Sequence, residues 1–415
     1  MKFSIDKIQR ESPSTGESQD IILDGKNLII VGDNGSGKTQ LLNKLNSFLT
    51  MYLNGHGEIS VESFEQKIKD TESWISKALP DDLNIINWKN NISSYKSSIR
   101  DLLQFNASSE NLSLFRVSYY QNEAMMLFFP ANRSYQSSHD MTVSSRDSIF
   151  NEYNKNKNKN GIGMILSSYF EKYLVSIWNY ALLQKSTGNH NEYSRVFNII
   201  NKINKDLSEL FEDESLNLSF NVSDLRINIS QNNKESYTLN HLSSGYSSIL
   251  AIYTELIMRA EFENISSNDL KGIVIIDEID AHLHVSLQKK VFNFFSSAYP
   301  NIQFIISTHS PFVLQSVSDA VIYNISTQEH LKDLSLFSYT SIVKGLLGES
   351  TVSSEMEKLI NELTVLTNEE IKNKRFHEII SILLMNESTL DNRAKLALLL
   401  AQNSILDDNL EGGNV

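Results

Sequence analysis

The chain has 415 residues and a mass of 47.2 kDa, enough for two or three structural units. Fifty acidic side chains against 37 basic ones leave a formal net charge of −13, which argues against non-specific coating of nucleic acid, since that needs clustered Lys and Arg. With no cysteine there are no disulfides, thiolate zinc sites or thiol nucleophiles, as befits a reducing cytosol. The start MKFSIDKIQRES has no apolar signal-peptide core, and no apolar run approaches the ~20 residues that span a bilayer. A cytoplasmic protein with no membrane segment is expected.

Residues 2–8 and 21–31 read as strands separated by the polar turn SPSTGESQD. The second strand runs into VGDNGSGKTQLL, where Gly32, Gly37, Lys38 and Thr39 satisfy the phosphate-cradling pattern G-x-x-x-x-G-K-[ST] ahead of a predicted helix over 38–52. The glycines let backbone N–H groups close on a phosphate. Lys38 supplies a point charge, Thr39 a hydroxyl for Mg2+, and the helix its positive dipole end. Asn34, Gly35, Ser36, Gly37, Lys38, Thr39 and Gln40 are the expected nucleotide contacts.

From about Asn54 to Asn111 the pattern turns polar and mostly helical, an insertion in the first half of an α/β core. LSLFRVSYY (112–120) and AMMLFFPANR (124–133) read as strands, and NEYNKNKNKNGIG (151–163) as a mobile low-complexity loop. Apolar residues at three- and four-residue spacing over 163–184 and 193–211 predict amphipathic helices, a helical lobe. LNLSFNV and LRINIS are short strands. LNHLSSGYSSILAIYTELIMRAEF (239–262) opens with a Ser-Ser-Gly turn and continues as a helix. Ser243, Ser244 and Gly245 offer hydroxyls and N–H groups to an anion, although a plain helix N-cap accounts for them too.

KGIVIIDEIDAHLH is a buried strand closing on Asp277 and Glu278, VSLQKKVFNFFSSAYP a helix, and NIQFIISTHSP a second buried strand closing on His309. Strand, helix and strand in this order imply a parallel crossover. At the carboxyl edge of that sheet Asp277 would hold Mg2+, Glu278 would polarise the attacking water and His309 would contact the γ phosphate. An exposed acidic turn and a structural histidine are the alternatives. From about Ser338 four helical stretches follow, SYTSIVKGLL, SEMEKLINELTVL, NEEIKNKRFHEIISILLM and NRAKLALLLAQ, with DNLEGGNV as a loose end.

The order VGDNGSGKT, LSSGY, VIIDEIDAHLH, ISTHS resembles the nucleotide-binding domains of the ABC ATPase superfamily, over Gly32 to His309. The resemblance implies an α/β P-loop ATPase core with a mixed or parallel sheet and flanking helices, and ATP and Mg2+ as cofactors. It also implies a homodimer or higher homo-oligomer built on an ATP sandwich, in which Ser243, Ser244 and Gly245 act in trans. The signature departs from L-S-G-G-Q at Ser244 and Tyr246, which implies slow hydrolysis. FFPANR, DEIDAHLH, LSSGYSSIL and FSYTSIVKGLLG look like ATPases of bacterial antiphage defence, most like the PtuA family of Septu and retron-linked systems and similar to the ATPase part of OLD family nucleases.

That likeness implies a subunit controlling a separate nuclease of the HNH type or, alternatively, the Toprim type, with nucleic acid or a phage component as a further ligand. The chain itself shows no Asp-x-Asp with an upstream Glu after His309 and no His/Asn cluster, hence no nuclease centre of its own. Arg133 and Gln136 are candidates to reach the nucleotide or its water where the superfamily uses a glutamine loop, and His284 in AHLH to face the second subunit. The rival is a RecF-like DNA-repair ATPase that binds DNA directly; a long-armed SMC-like clamp would need far more heptad sequence between Lys38 and Ser243. The expected organisation is an ATPase core from 1–53, 112–135 and 239–330, a helical insertion at 54–111, a helical lobe at 136–238 and a C-terminal helical tail at 331–415.

Overall fold

The runs NLIIV, GIVII and IQFIIS are buried almost without break, the pattern of strands covered on both faces of a parallel sheet. The computed structural model describes residues 2–11, 16, 18–55, 60–79, 82–137, 142–157, 166–317, 319–331, 334, 341–343, 354–368, 373–387, 390 and 392–411. The chain divides into two compact units, Met1–Ile342 and Val343–Val415.

The first unit opens with β1 (Lys7–Glu11), β2 (Ser18–Ile22), β3 (Asn27–Val31) and α1 (Lys38–Asn54). The single strand expected over 21–31 is two strands in different sheets, split where Asp24 and Gly25 turn left-handed and Lys26 N–H bonds Leu23 O at 2.9 Å. The strand expected over 2–8 starts only at Lys7. Ile5 has its backbone satisfied by a side chain instead: the fully buried Gln303 accepts from Ile5 N at 2.7 Å and donates to Ile5 O at 2.9 Å.

The insertion is a helical hairpin, α2 (Val61–Lys77) and α3 (Asn84–Gln104), but it ends in a strand, β4 (Phe105–Ser108), paired antiparallel with β1. LSLFRVSYY is a helix, α4 (Leu112–Tyr120), not a strand: Leu112 and Phe115, one turn apart, are its core residues. Next come β5 (Met125–Phe129) and α5 (Arg146–Lys157). Residues 151–157 of the expected mobile loop are therefore helical, and 158–165 lie outside the described residues. The lobe continues with α6 (Phe170–Ser186), α7 (His190–Leu210) and a small antiparallel sheet of β6 (Asn217–Asn221), β7 (Arg226–Ser230) and β8 (Tyr237–Thr238). Helix α7 buries Val196, Ile200, Ile203 and Leu207, one every three or four residues as its sequence requires.

The core resumes with α8 (Ser244–Glu263), β9 (Gly272–Ile276), α9 (Val285–Gln288), α10 (Val291–Ala298), β10 (Ile302–Ser307), α11 (Pro311–Gln315), β11 (Ala320–Asn324) and β12 (Glu329–Leu331). The helix expected over 285–300 is thus interrupted at Lys289 and Lys290. The main sheet has the order β12-β11-β3-β10-β9-β5, parallel throughout except for β12. Strands β3, β10 and β9 are neighbours, so the chain segments leaving their carboxyl ends meet.

Among its described residues the second unit has three helices, α12 (Ser354–Thr367), α13 (Lys374–Met385) and α14 (Asn392–Glu411), around Leu363, Phe376, Ile379, Leu383 and Leu398. Of the helix expected at 338–347 only 341–343 are described, and of the loose end at 408–415 residues 408–411 continue α14 while 412–415 lie outside the described residues. Among the described residues no helix is long and apolar enough to cross a membrane.

Candidate nucleotide site

Beyond β3 the chain turns through Gly32 and winds to Gly37, the N-cap of α1 in the left-handed region. A Cβ on Gly32 would meet Ile325 Cγ2 at 2.7 Å and Ser326 Oγ at 2.8 Å, so no other residue fits beside the turn after β11. The same Ser326 Oγ accepts from Asp33 N at 2.9 Å and braces the loop from the outside. Lys38 folds back over its own loop, its Nζ donating to the carbonyls of Gly32 and Asp33, both at 2.8 Å. Burial lowers the Lys38 pKa, opposed by the charges of Glu278, Asp33, Asp277 and Asp280.

Strand β9 delivers Asp277, 3 % exposed, behind the loop. Its Oδ2 accepts from Thr39 Oγ1 at 2.8 Å and its Oδ1 from Ser307 Oγ at 2.6 Å. Ser307 Oγ in turn accepts from Glu278 N at 2.7 Å, and Ser307 O from Ile279 N at 3.0 Å. One hydroxyl thereby knits the ends of two strands to the first turn of α1. Glu278 is left-handed at φ 46°, an uncommon conformation for a residue with a side chain. Next door, Thr308 Oγ1 donates to Asp280 Oδ1 at 2.5 Å.

These elements wall a cleft of about 830 Å³. Asn34, Gly35, Gly37, Lys38, Thr39, Gln40, Glu278 and His309 line it together, although the sequence separates Asn34 from His309 by most of the core. Ser36 and Asp277 are not on its surface: the Ser36 hydroxyl is buried, and Asp277 is screened by its partners. An Mg2+ site fits the donor set, since a threonine hydroxyl and a carboxylate oxygen already stand 2.8 Å apart beside the loop.

Arg133 does not reach the cleft. Its guanidinium donates to the carbonyls of Asp277 at 2.7 Å, Glu278 at 3.1 Å and Pro130 at 2.9 Å, and so clamps the acidic turn from behind. Burial pushes its pKa down to about 10, with Asp280, Asp277 and Glu278 opposing, which still leaves it charged at neutral pH. Gln136 is exposed and also absent from the cleft lining. His284 caps α9, its Nδ1 accepting from Ser286 N at 3.4 Å, so its visible role is structural.

Ser243, Ser244 and Gly245 lie outside this cleft as well. The two serines are exposed, while Gly245 is buried: a Cβ there would meet His282 O at 2.4 Å. Tyr246 turns into the lobe, its ring 4.4 Å from that of Phe211. Sequence reasoning missed Ser307, Thr308, Ser326 and Gln303; the adjacent hydroxyls ahead of His309, at the end of an apolar strand, were the available signal for the first two.

A glycine-rich loop of the phosphate-binding pattern, an acidic strand end and a histidine-bearing strand end stand side by side on a parallel sheet, the α/β arrangement of a P-loop ATPase core. The chain belongs to the family described as "AAA domain, putative AbiEii toxin, Type IV TA system", whose sequence model matches residues 28–315. It is 31% identical over 191 residues to the "Retron Vc95 probable ATPase" of Vibrio cholerae serotype O1 biovar El Tor, covering 44% of this chain and 37% of that one. It is 41% identical over 83 residues to the "Septu protein PtuA" of Bacillus mycoides (strain KBAB4), 20% of this chain and 11% of the relative. The matched segments thus span little more than a third of these relatives at most. Among solved structures, an SMC head bound to the C-winged helix domain of ScpA aligns with a TM-score of 0.36 at 14% identity, over 79% of this chain and 96% of that one.

Proposed function

We propose that this chain is the ATP-hydrolysing subunit of a bacterial antiphage defence complex and that its nucleotide state controls a separate nuclease, of HNH type in preference to Toprim type. The observation that carries the hydrolytic part is the chain of hydrogen bonds from Thr39 through Asp277 and Ser307 to the Glu278 backbone, set against a cleft that Lys38, Glu278 and His309 share. The relationship to proteins named as a retron ATPase and PtuA supports the defence setting.

In this reading the loop N–H groups and Lys38 take the phosphates, the ammonium exchanging two carbonyls for β- and γ-phosphate oxygens. Thr39 and Asp277 would hold Mg2+, which when bound would supply positive charge against the phosphates. Glu278 accepts the proton of the attacking water, and His309 hydrogen-bonds the γ phosphate. Ser243 and Ser244, exposed at the head of α8, close over the nucleotide of a second copy. Slow turnover suits a sensor more than a motor.

The test is Glu278→Gln. ATP binding should persist while hydrolysis falls by orders of magnitude, and the chain should accumulate as an ATP-bound dimer in native mass spectrometry. Hydrolysis at the original rate would remove Glu278 as the base. For the control of a nuclease, the product of the adjacent gene should cleave DNA differently with ATP, with ADP and with the Glu278→Gln chain; equal cleavage in all three would sink that link.

A further inference from the structure

The residues expected from the phosphate pattern occupy one end of the cleft only. From Thr39 to Met51 helix α1 advances about 18 Å at 1.5 Å per residue, and the cleft follows its exposed face to the foot of the inserted hairpin. There the lining changes character. Phe48 and Phe105 are both 6 % exposed, with ring centroids 6.2 Å apart at 63°, and Met51 adds a polarisable side chain beside them. Asp101 and Gln104, one turn apart at the end of α3, complete the rim; both are exposed, and neither side chain bonds a described residue.

A nucleoside triphosphate held by its phosphates at the loop has to lay its base somewhere along this path. The apolar stretch suits a ring face. An ionised carboxylate only accepts hydrogen bonds, so Asp101 asks for an N–H, while the Gln104 carboxamide can both give and take one.

We propose that the foot of the hairpin, where α3 passes into β4, is the base-binding wall of the nucleotide site: Met51, backed by the buried rings of Phe48 and Phe105, takes the face of a purine, and Asp101 accepts a hydrogen bond from its exocyclic amine. This rests on the nucleotide reading above and assigns the insertion a part in choosing the ligand. The insertion is then a piece of the site and not an ornament on the core.

Calorimetric titration of the full chain with ATP, purine riboside triphosphate and inorganic tripolyphosphate tests it. A hydrogen bond to a charged group contributes enough that ATP should bind about ten-fold or more tightly than the analogue lacking the amine. Asp101→Ala should abolish that difference, leaving tripolyphosphate unaffected. Ser47→Trp, at an exposed position of α1 on the cleft, should weaken ATP about ten-fold and spare tripolyphosphate. Equal affinity of the wild-type chain for ATP and the analogue, or an unchanged ATP affinity in Ser47→Trp, would overturn the proposal. Failure of the wild-type chain to bind tripolyphosphate and ATP at all would overturn the nucleotide reading beneath it.

Discussion

Ser307 carries more of the site than its size suggests. Its hydroxyl donates to Asp277 and accepts from Glu278 N, so Ser307→Ala strands a buried carboxylate oxygen and a backbone donor at once. Each costs about 1–3 kcal/mol when left unsatisfied. We expect turnover to fall at least ten-fold by steady-state assay while ATP affinity stays within about three-fold, because the phosphate loop is untouched. Lys38→Ala is the opposite case. It removes a cation that four acidic side chains surround, and ATP affinity should drop on the order of 100-fold in a calorimetric titration.

At the scale of elements, residues 130–137 act as a strap. Arg133 holds the carbonyls of Asp277 and Glu278, two residues later Tyr135 N donates to Ser247 at the head of α8, and Ser137 pairs with Asn240. The acidic turn and the Ser243–Ser244 loop are therefore tied to one stretch of backbone. Arg133→Met frees the turn without adding a charge. It should lower hydrolysis more than binding and reduce thermal stability, by about 1.5–3 kcal/mol for the charged hydrogen bonds lost; an unchanged melting temperature and rate would show the strap to be idle. This strap was not legible in the sequence, where PANRSYQ pointed at the nucleotide, since nothing local says that a guanidinium will turn backwards onto backbone carbonyls. The phosphate loop and the β9 and β10 strand ends were legible because glycine spacing and unbroken apolar runs are local signals. LSLFRVSYY misled for a physical reason: nine residues rich in aromatic and branched side chains satisfy a period of 2 nearly as well as one of 3.6. The break between β2 and β3 was signalled by Asp24-Gly25, a turn pair that the surrounding apolar residues masked.

For the whole molecule, the trans site is testable by mixing chains, though not with a bulky change at Gly245, which is packed on His282 O within its own chain. Ser243→Arg avoids that, because Ser243 is exposed. A Ser243→Arg chain and a Lys38→Ala chain should each be inactive, and together should recover part of the hydrolysis through one composite site. No recovery, with mixed dimers confirmed by native mass spectrometry, would place the site within a single chain.

Because the loop, the acidic turn and His309 hang from β3, β9 and β10, which are hydrogen-bonded neighbours in the sheet, the site has no local way to melt. Amide hydrogens of Ile275 and Ile305 should exchange among the slowest in the chain, while the α2–α3 hairpin, which buries few of its side chains, opens earlier. On warming, tripolyphosphate held at the loop should leave only as the far-ultraviolet signal of the core collapses, whereas the share of ATP affinity that the hairpin foot contributes should be lost earlier. A protein built this way fails like a fuse: it keeps its hold on the phosphates up to the temperature at which the sheet itself gives way.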